Sequence, residues 1–463
     1  MVAPVSAQSR WEGPAPPTDG PPDQDRRRAG LISPTMSPLD TLRSRGFIQD
    51  VTDEAALRDL LAAERVTFYV GFDPTAPSLH IGNLVGIMAM AWLQRAGHRP
   101  IGVAGGGTGR IGDPSGRDDE RELLGEDSIA RNLLAIEGQL GRVLDLDDGL
   151  VLDNHEWISQ WRFVDFLRQV GKHFSVNQMI SRESVRRRLE EREQGISFTE
   201  FSYQLLQAFD FAHLYETFGC RLQGGGSDQW GNITAGVDLT RRLHGADVYG
   251  LVWPLIERSD GKKMSSSIGE AVWLGADMTS PYAYYQWFLN LPDADVGRFL
   301  RTFTFLGLDE ISQLEATVEA DPSLREAQRV LAAEATRIMH GPDGLSGAQR
   351  ASEILFGDDP FAGLDDRTLA DAFQSAPSVE VERGRLESGL GLLELMVAAG
   401  AAASNGEARR LVDQGAVKVN NAAMIDPKLT LGPADLAGAT TLVLQVGKKR
   451  HFLARFPVDK STA

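Results

Sequence analysis

Residues 78–83, SLHIGN, place a histidine, a glycine and an asparagine between an apolar run, VTFYVGF (66–72), and a helical one, LVGIMAMAWLQRAGH (84–98). A helix beginning there offers unpaired N–H groups and a positive dipole to phosphate. His80 and Asn83 add donors, and Gly82 lets a base or ribose approach the backbone closely. The plainer reading is a turn and a helix cap. A second segment, SDGKKMSSS (259–267), carries Lys262 and Lys263, then hydroxyls including Ser266, after the turn-forming Gly261. Ammonium groups on long stems suit a polyphosphate charge that migrates during reaction. Alone, this segment reads more simply as a solvated loop.

A third pattern lies in FSYQLLQAFD (201–210). Tyr203 and Gln207 are four residues apart and share a helix face, and Asp210 extends that face. The neighbours of Asp210 are largely apolar, so the spacing points to a pocket wall. An ordinary amphipathic helix with boundary polar residues is the alternative.

Strands and helices alternate around these segments. VTFYVGF, RPIGVAGGGTG (99–109), GLVLDNHEW (149–157) and CRLQGGGSDQW (220–230) read as strands, several of them opening into glycines. Repeated strand–helix units predict an α/β fold with a parallel sheet covered on both faces. Ligands of such sheets sit beyond the C-terminal strand ends, where the glycine-rich exits lie. From about residue 300 to about 350 the pattern is helical only. PSVEVERGRLESGLG (377–391) reads as a linker, and a small α+β unit closes the chain.

The chain has 463 residues, too many for one ordinary core. Its composition is that of globular protein, with 42% hydrophobic and 24% charged residues. No apolar stretch is long enough for a membrane helix. A net charge of −17 argues against one large basic nucleic-acid surface but leaves room for local basic patches. The lone Cys220 forms no intrachain disulfide, which fits a reducing cytoplasm. The first 35 or so residues, rich in Pro, Gly and polar side chains, predict a disordered extension, and translation from Met36 would omit it.

The order of the two phosphate-type segments resembles the HIGH and KMSKS signatures of class I aminoacyl-tRNA synthetases. YVGFDPTAPSLHIGN, GGGTGRIGDPSGRDDER, GKHFSVNQMISRESV, GISFTEFSYQLLQAFDFAHLYE and LQGGGSDQWGNITAG resemble bacterial-type tyrosyl-tRNA synthetases. The resemblance runs from about residue 38 to the end and includes a tail similar to S4-type RNA-binding domains. It implies a Rossmann-like catalytic domain (38–282) after the extension (1–37), a helical domain and linker (283–385), and an S4-like domain (386–463). The implied reaction has two steps. Tyrosine carboxylate attacks the ATP α-phosphate, giving tyrosyl-adenylate and pyrophosphate, and the tRNA(Tyr) terminal adenosine then takes the tyrosyl group. Mg²⁺ is expected with ATP, without a dedicated protein metal site. A cytoplasmic homodimer, with no membrane attachment, is the family arrangement.

Motif by motif, the resemblance assigns Tyr69 and Asp210 to the substrate phenol. From the residues alone, Tyr69 would equally be a strand core residue. Asp113, Tyr203 and Gln207 fall at the ammonium site, with Gln223 and Gln229 on the opposite wall of the tyrosine pocket. Gly71, Asp73, His80, Gly82, Asn83, Gly226 and Asp228 fall to ATP. Arg117 and Arg121 stand where family residues meet pyrophosphate, although Asp118, Asp119 and Glu120 between them offer ion-pair partners. Catalytic charge stabilisation falls to His80, Asn83, Lys262, Lys263 and Ser266.

Three departures from the family pattern matter. Asn83 replaces the last histidine of HIGH, Ser266 replaces the second lysine of KMSKS, and Val70 and Gly86 stand where some relatives have polar ribose contacts. In the tail, Arg409, Arg410, Lys418, Lys448, Lys449 and Arg450 are candidates for RNA phosphates. Two rival readings are a tyrosine-activating paralogue serving another acceptor and a non-catalytic RNA-binding paralogue. The S4-like tail weighs against the first, and the retained phenol and ammonium residues weigh against the second.

Overall fold

The computed structural model describes residues 36–115, 125–182, 185–186, 189–190, 196–257, 259, 271–357, 360–361, 363–374, 376–447 and 450–458. The expectations for residues 1–35 and for Arg117, Arg121, Lys262, Lys263, Ser266, Lys448 and Lys449 fall outside them.

The expected α/β sheet is present. Its strands are β1 (Asp50–Val51), β2 (Thr67–Phe72), β3 (Arg99–Ala104), β4 (Leu150–Asp153), β5 (Cys220–Gly226) and β6 (Tyr249–Trp253), in the order β1-β6-β5-β2-β3-β4. All neighbours are parallel except the short edge pair β1–β6. From β2 the chain builds outward to β3 and β4 on one side, then returns to β5 and β6 on the other. The order therefore reverses between β2 and β5, and in open parallel sheets the crevice at such a reversal holds the ligand.

Both faces of this sheet are buried, which is why its strands read as nearly continuous apolar runs. Alternation along β2 sends Phe68, Val70 and Phe72 into the core beneath the helix Ile81–Arg95. Tyr69 points the opposite way, into a second core with Phe209 and Phe211 of the helix Phe198–Phe218. Ser197 caps that helix, accepting from Glu200 N, and Gly219 ends it in the left-handed region at φ 64°.

The first core does not stop at the sheet. It continues through Tyr284, Phe288, Phe299, Phe303, Leu331 and Ala348 of the following helices. The boundary drawn at 282/283 in the sequence thus falls inside one continuous apolar cluster. The long helix Glu326–Phe356 is broken at Gly341 (φ 74°), just ahead of Pro342.

The last unit has a sheet of five strands: β7 (Ser378–Glu380), β9 (Val417–Val419), β10 (Ala422–Ala423), β12 (Thr441–Val446) and β13 (Arg450–Arg455), in the order β10-β9-β12-β13-β7. A separate pair joins β8 (Leu390–Gly391) to β11 (Thr430–Leu431). The stretch 377–391 is therefore not the linker expected. Strand β7 runs parallel to β13, and Val381, Leu386 and Leu390 are buried in the core of this unit. The other face of the sheet packs Val443 and Leu453 on Tyr282, Ala351, Phe361 and Leu369. Asp371 accepts from Ser280 N at 2.9 Å, and Asp366 accepts from Thr440 Oγ1 at 2.8 Å.

Candidate active site

The C-terminal ends of β2 and β5 are neighbours at the reversal of strand order, where a ligand crevice is expected, and the helix Ile81–Arg95 follows β2. At the helix start both sequence readings meet. His80 is the N-cap, and its Nδ1 accepts from Gly82 N at 3.0 Å. Asn83 Oδ1 accepts from His80 N at 3.0 Å, completing a capping box. With Nδ1 accepting, the imidazole proton sits on Nε2. This cap is also tied to the exit of the lysine segment. Ile81 N donates to Val272 O at 2.9 Å, and Leu274 N donates to Leu79 O at 2.8 Å. Gly71, at the exposed end of β2, has open space where a side chain would project, and Gly226 closes β5 beside Asp228.

Behind the crevice is a buried polar group. Asp210 is only 3% exposed, so it is not the surface helix acid that the sequence alone allowed. Its Oδ1 accepts from Trp157 Nε1 at 2.7 Å and its Oδ2 from Asn154 Nδ2 at 2.9 Å. Burial pushes its carboxyl up to about 7, with Asp73 and Asp153 adding repulsion, although the two hydrogen bonds oppose the shift. Tyr69, equally buried, has its phenol raised well above the usual range by burial and by Asp210. Its hydroxyl has no hydrogen-bond partner. Gln223, directly opposite Tyr69 in the β2–β5 register, has an unpartnered buried Oε1, and so does Gln207.

The rim is acidic and cross-linked by amides. Asp113 accepts from Ser115 N at 3.0 Å and from Gln229 Nε2 at 2.7 Å. The same Gln229 nitrogen reaches Asp228 at 3.0 Å, while its Oε1 accepts from Gln207 Nε2 at 3.2 Å and Asn232 Nδ2 at 3.2 Å. Although Asp228 is exposed to solvent, desolvation by the surrounding chain, opposed by the Gln229 hydrogen bond and aided by the Asp113 charge, holds its carboxyl above its ordinary range. Tyr203 donates to Asp73 Oδ1 at 3.5 Å, so it links the ammonium candidates to the nucleotide candidates. Asp73, Asp113, Asp210 and Asp228 make this a cation-attracting pocket. The amide-rich helix start is the part of the site suited instead to an anion. Among the described residues, no group of three His, Cys, Asp or Glu side chains is placed to hold a metal ion.

Asn154, Trp157 and Asn232 were not singled out from the sequence. The signal for the first two was LDNHEW, polar residues at the C-terminal end of a buried strand. Val70 and Gly86 turn out to be packing positions. A Cβ on Gly86 would lie 2.8 Å from Trp253 Cζ2, and one on Gly224 would lie 2.9 Å from Trp253 Cζ3, so the indole fills the space a side chain would need at either position. Gly86→Thr is accordingly expected to destabilise the protein by about 1–3 kcal/mol through overpacking. Urea unfolding of the two proteins measures this; equal midpoints would contradict the packing account.

The tail candidates divide. Arg409 and Arg410 are exposed on the helix Asn405–Asp413, and Arg450 is exposed at the start of β13. Lys418 pairs across Gln445 with His451, whereas Arg450 pairs with Val446, one register row on. Lys418 and Arg450 therefore lie on opposite sheet faces. The Lys418 ammonium donates to Asn421 Oδ1 at 2.9 Å.

Comparison with known proteins agrees with this geometry. A family model described as "tRNA synthetases class I (W and Y)" matches residues 61–357, and one for the "Tyrosine--tRNA ligase SYY-like C-terminal domain" matches residues 368–454. A tyrosine–tRNA ligase of Roseiflexus castenholzii is 47% identical over 422 residues, covering 90% of this chain and 99% of that protein. One from Nocardia farcinica is 49% identical over 419 residues, covering 89% and 96%. Among solved structures, a C-terminally truncated mitochondrial tyrosyl-tRNA synthetase of Aspergillus nidulans superposes with a TM-score of 0.63 at 31% identity, covering 72% of this chain and 99% of that one.

Proposed function

The chain belongs to the tyrosine–tRNA ligase family of class I synthetases, and from that premise we propose how its residues divide the work. The enzyme activates L-tyrosine with ATP to tyrosyl-adenylate and pyrophosphate, then transfers the tyrosyl group to tRNA(Tyr). The observation that carries the assignment of roles is the buried trio of unpartnered polar atoms, Tyr69 Oη, Gln223 Oε1 and Gln207 Oε1, in the pocket that Asp210 closes. Other such atoms lie elsewhere among the described residues, but these three sit on β2, on β5 and on the helix that carries Asp210, where a polar ligand would complete their bonding.

In this reading the tyrosine phenol donates to Asp210 and meets Tyr69. Its ammonium lies against Asp113, Tyr203, Gln207 and Gln223. Gln229, already bridging Asp113 and Asp228, stands beside the reacting carboxylate and α-phosphate. Asp228 and Asp73 accept from the adenosine sugar, and Gly71 and Gly226 admit it close to the backbone. His80 Nε2 and the Asn83 amide donate to phosphate at the helix start. Lys262, Lys263, Ser266, Arg117 and Arg121 serve the departing pyrophosphate. No covalent enzyme intermediate is required, because positioning and charge stabilisation account for the catalysis. Mg²⁺ would accompany ATP and offset phosphate charge without a dedicated protein cage.

The exposed cations Arg409, Arg410 and Arg450, with Lys418, Lys448 and Lys449, contact tRNA phosphates. A homodimer is part of the same proposal. Phe163 and Val164 of the helix Phe163–Gln169, Val176 of Val176–Ile180 and Phe198 are large, exposed and apolar, as an unpaired subunit surface would be. No described helix is long and apolar enough to cross a membrane, and we place the enzyme in the cytoplasm.

The tail is tested by truncation. Ending the chain at Gly357, rather than near residue 385, keeps β7 and its partner strand from being separated. The shortened enzyme is expected to support tyrosine-dependent ATP–pyrophosphate exchange. It should lose at least about 10²-fold in kcat/KM for tRNA, the scale on which several lost phosphate contacts act. Normal charging by the truncated enzyme would remove the RNA role from the tail.

A further inference from the structure

We propose that Asp295 is a positioning residue for tyrosine activation, acting through Ser259 at the root of the lysine segment. This rests on the reading above that Lys262 and Lys263 serve the departing pyrophosphate.

Asp295 is 2% exposed and lies in the first turn of the helix Asp293–Phe303. An acid there commonly accepts from the unpaired N–H groups of its own helix. Asp295 does not. Its Oδ2 accepts from Ser259 N at 3.0 Å and from Ser259 Oγ at 2.8 Å, and its Oδ1 lies 3.3 Å from the same backbone nitrogen and 3.1 Å from Arg298. Arg298 in turn donates to Glu257 O, two residues before Ser259. A buried carboxylate is costly unless its bonds are satisfied, and this one divides them between the exposed Ser259, which it holds by both N–H and hydroxyl, and Arg298 of its own helix, which in turn holds Glu257 O.

The platform beneath is well packed. Val296, Phe299, Leu300 and Phe303 are buried along one side of the helix. At and beyond its C-terminal end, Arg45 donates to Arg301 O at 3.2 Å, Thr304 O at 3.3 Å and Leu306 O at 2.5 Å, with its guanidinium 3.7 Å over the Trp92 ring. The other root of the lysine segment is bonded at Val272 and Leu274 to residues 79–81, the helix start assigned to phosphate. Both roots are thus fixed to the body that carries the site. Ser259 precedes Lys262 by three residues and Lys263 by four, so the Asp295 anchor sets where the two charges start from.

The test uses the full-length enzyme and compares Asp295→Asn, Asp295→Ala, Ser259→Ala, Lys263→Ala and Asp295→Asn/Lys263→Ala. Pre-steady-state adenylate formation, equilibrium tyrosine binding and thermal unfolding are measured for each. Asp295→Ala is expected to slow adenylate formation by roughly 10- to 10²-fold, as misplacement of a charge remote from the reacting atoms does. Asp295→Asn should have a smaller effect, since it retains one acceptor. Tyrosine affinity should be unchanged, and the double variant should be little slower than Lys263→Ala alone. Should Asp295→Ala fail to fold, the exposed Ser259→Ala removes the hydroxyl half of the contact, leaving the N–H bond, and should slow the step by about 3-fold or more.

Wild-type rates in the Asp295 and Ser259 variants, with Lys263→Ala slow, would overturn this inference and leave the role of the lysines standing. A wild-type rate in Lys263→Ala would instead overturn the role of the lysine, and the inference with it. Weakened tyrosine binding, or effects that multiply in full in the double variant, would show that Asp295 acts by another route.

Discussion

Replacing Asp210 with alanine is expected to lower kcat/KM for tyrosine activation by roughly 10³-fold, as removal of one partner from a buried charged network does. Phenylalanine has no hydroxyl to lose a bond, so its own activation should change far less and the tyrosine-to-phenylalanine ratio should collapse. The donors Trp157 Nε1 and Asn154 Nδ2 would also lose their acceptor, so a fall in stability should accompany the loss. Tyr69→Phe separates the two effects. It removes a hydroxyl that has no partner in the protein, so stability should be kept while selectivity for tyrosine drops by about 10-fold.

The carboxyl of Asp210, held up to about 7, adds a pH signature. The phenol donates to the ionised carboxylate, so tyrosine binding pulls the proton equilibrium toward ionisation. Affinity should therefore rise as pH increases through about 7 and level off above it. Isothermal titration between about pH 6 and about pH 8 would display this, and Asp210→Asn should abolish it. A pH-independent affinity in the wild type would place the phenol elsewhere.

The elements that create this pocket were legible to different degrees. Its helix was readable because Tyr203, Gln207 and Asp210 recur at helical spacing. The facing of Tyr69 was not, because β2 is buried on both sides and alternation alone does not say which core a residue joins. Trp157 and Asn154 reach Asp210 from 53 and 56 residues away, a closure that only the pairing of β4 with β3 in the sheet reveals. The stretch 377–391 was misread because Val379 and Val381 alternate with Glu380 and Glu382. That is the signature of a strand with one covered face, but the charges made it resemble a tether. His80 and Asn83 were weighed as either cap or phosphate site. They form the cap in the structure, and an N-terminus so capped remains the part of the helix that attracts phosphate.

Lys263→Ala should slow adenylate formation by about 10²-fold or more, the order expected when one preorganised electrostatic donor is lost. Where the KMSKS signature has a second lysine, Ser266 offers a hydroxyl without charge, so Lys263 is expected to carry more of the work. Tyrosine affinity should be nearly unchanged, since the segment is assigned to pyrophosphate and not to the amino acid. Ser266→Lys should be tolerated or mildly activating. Stopped-flow adenylate formation, run beside equilibrium tyrosine binding, reads both effects. A Lys263→Ala enzyme with the wild-type rate would move the charge to Lys262, Arg117 or Arg121.

ATP–pyrophosphate exchange by the full-length protein, driven in parallel by tyrosine and by phenylalanine, bears most directly on the buried pocket as the seat of selection and activation. Tyrosine should support exchange, and phenylalanine should be weaker by several orders of magnitude in kcat/KM, because it leaves the carboxylate of Asp210 and the hydroxyl of Tyr69 without the phenol. Exchange at comparable rates with the two amino acids, or exchange that needs neither, would contradict the account.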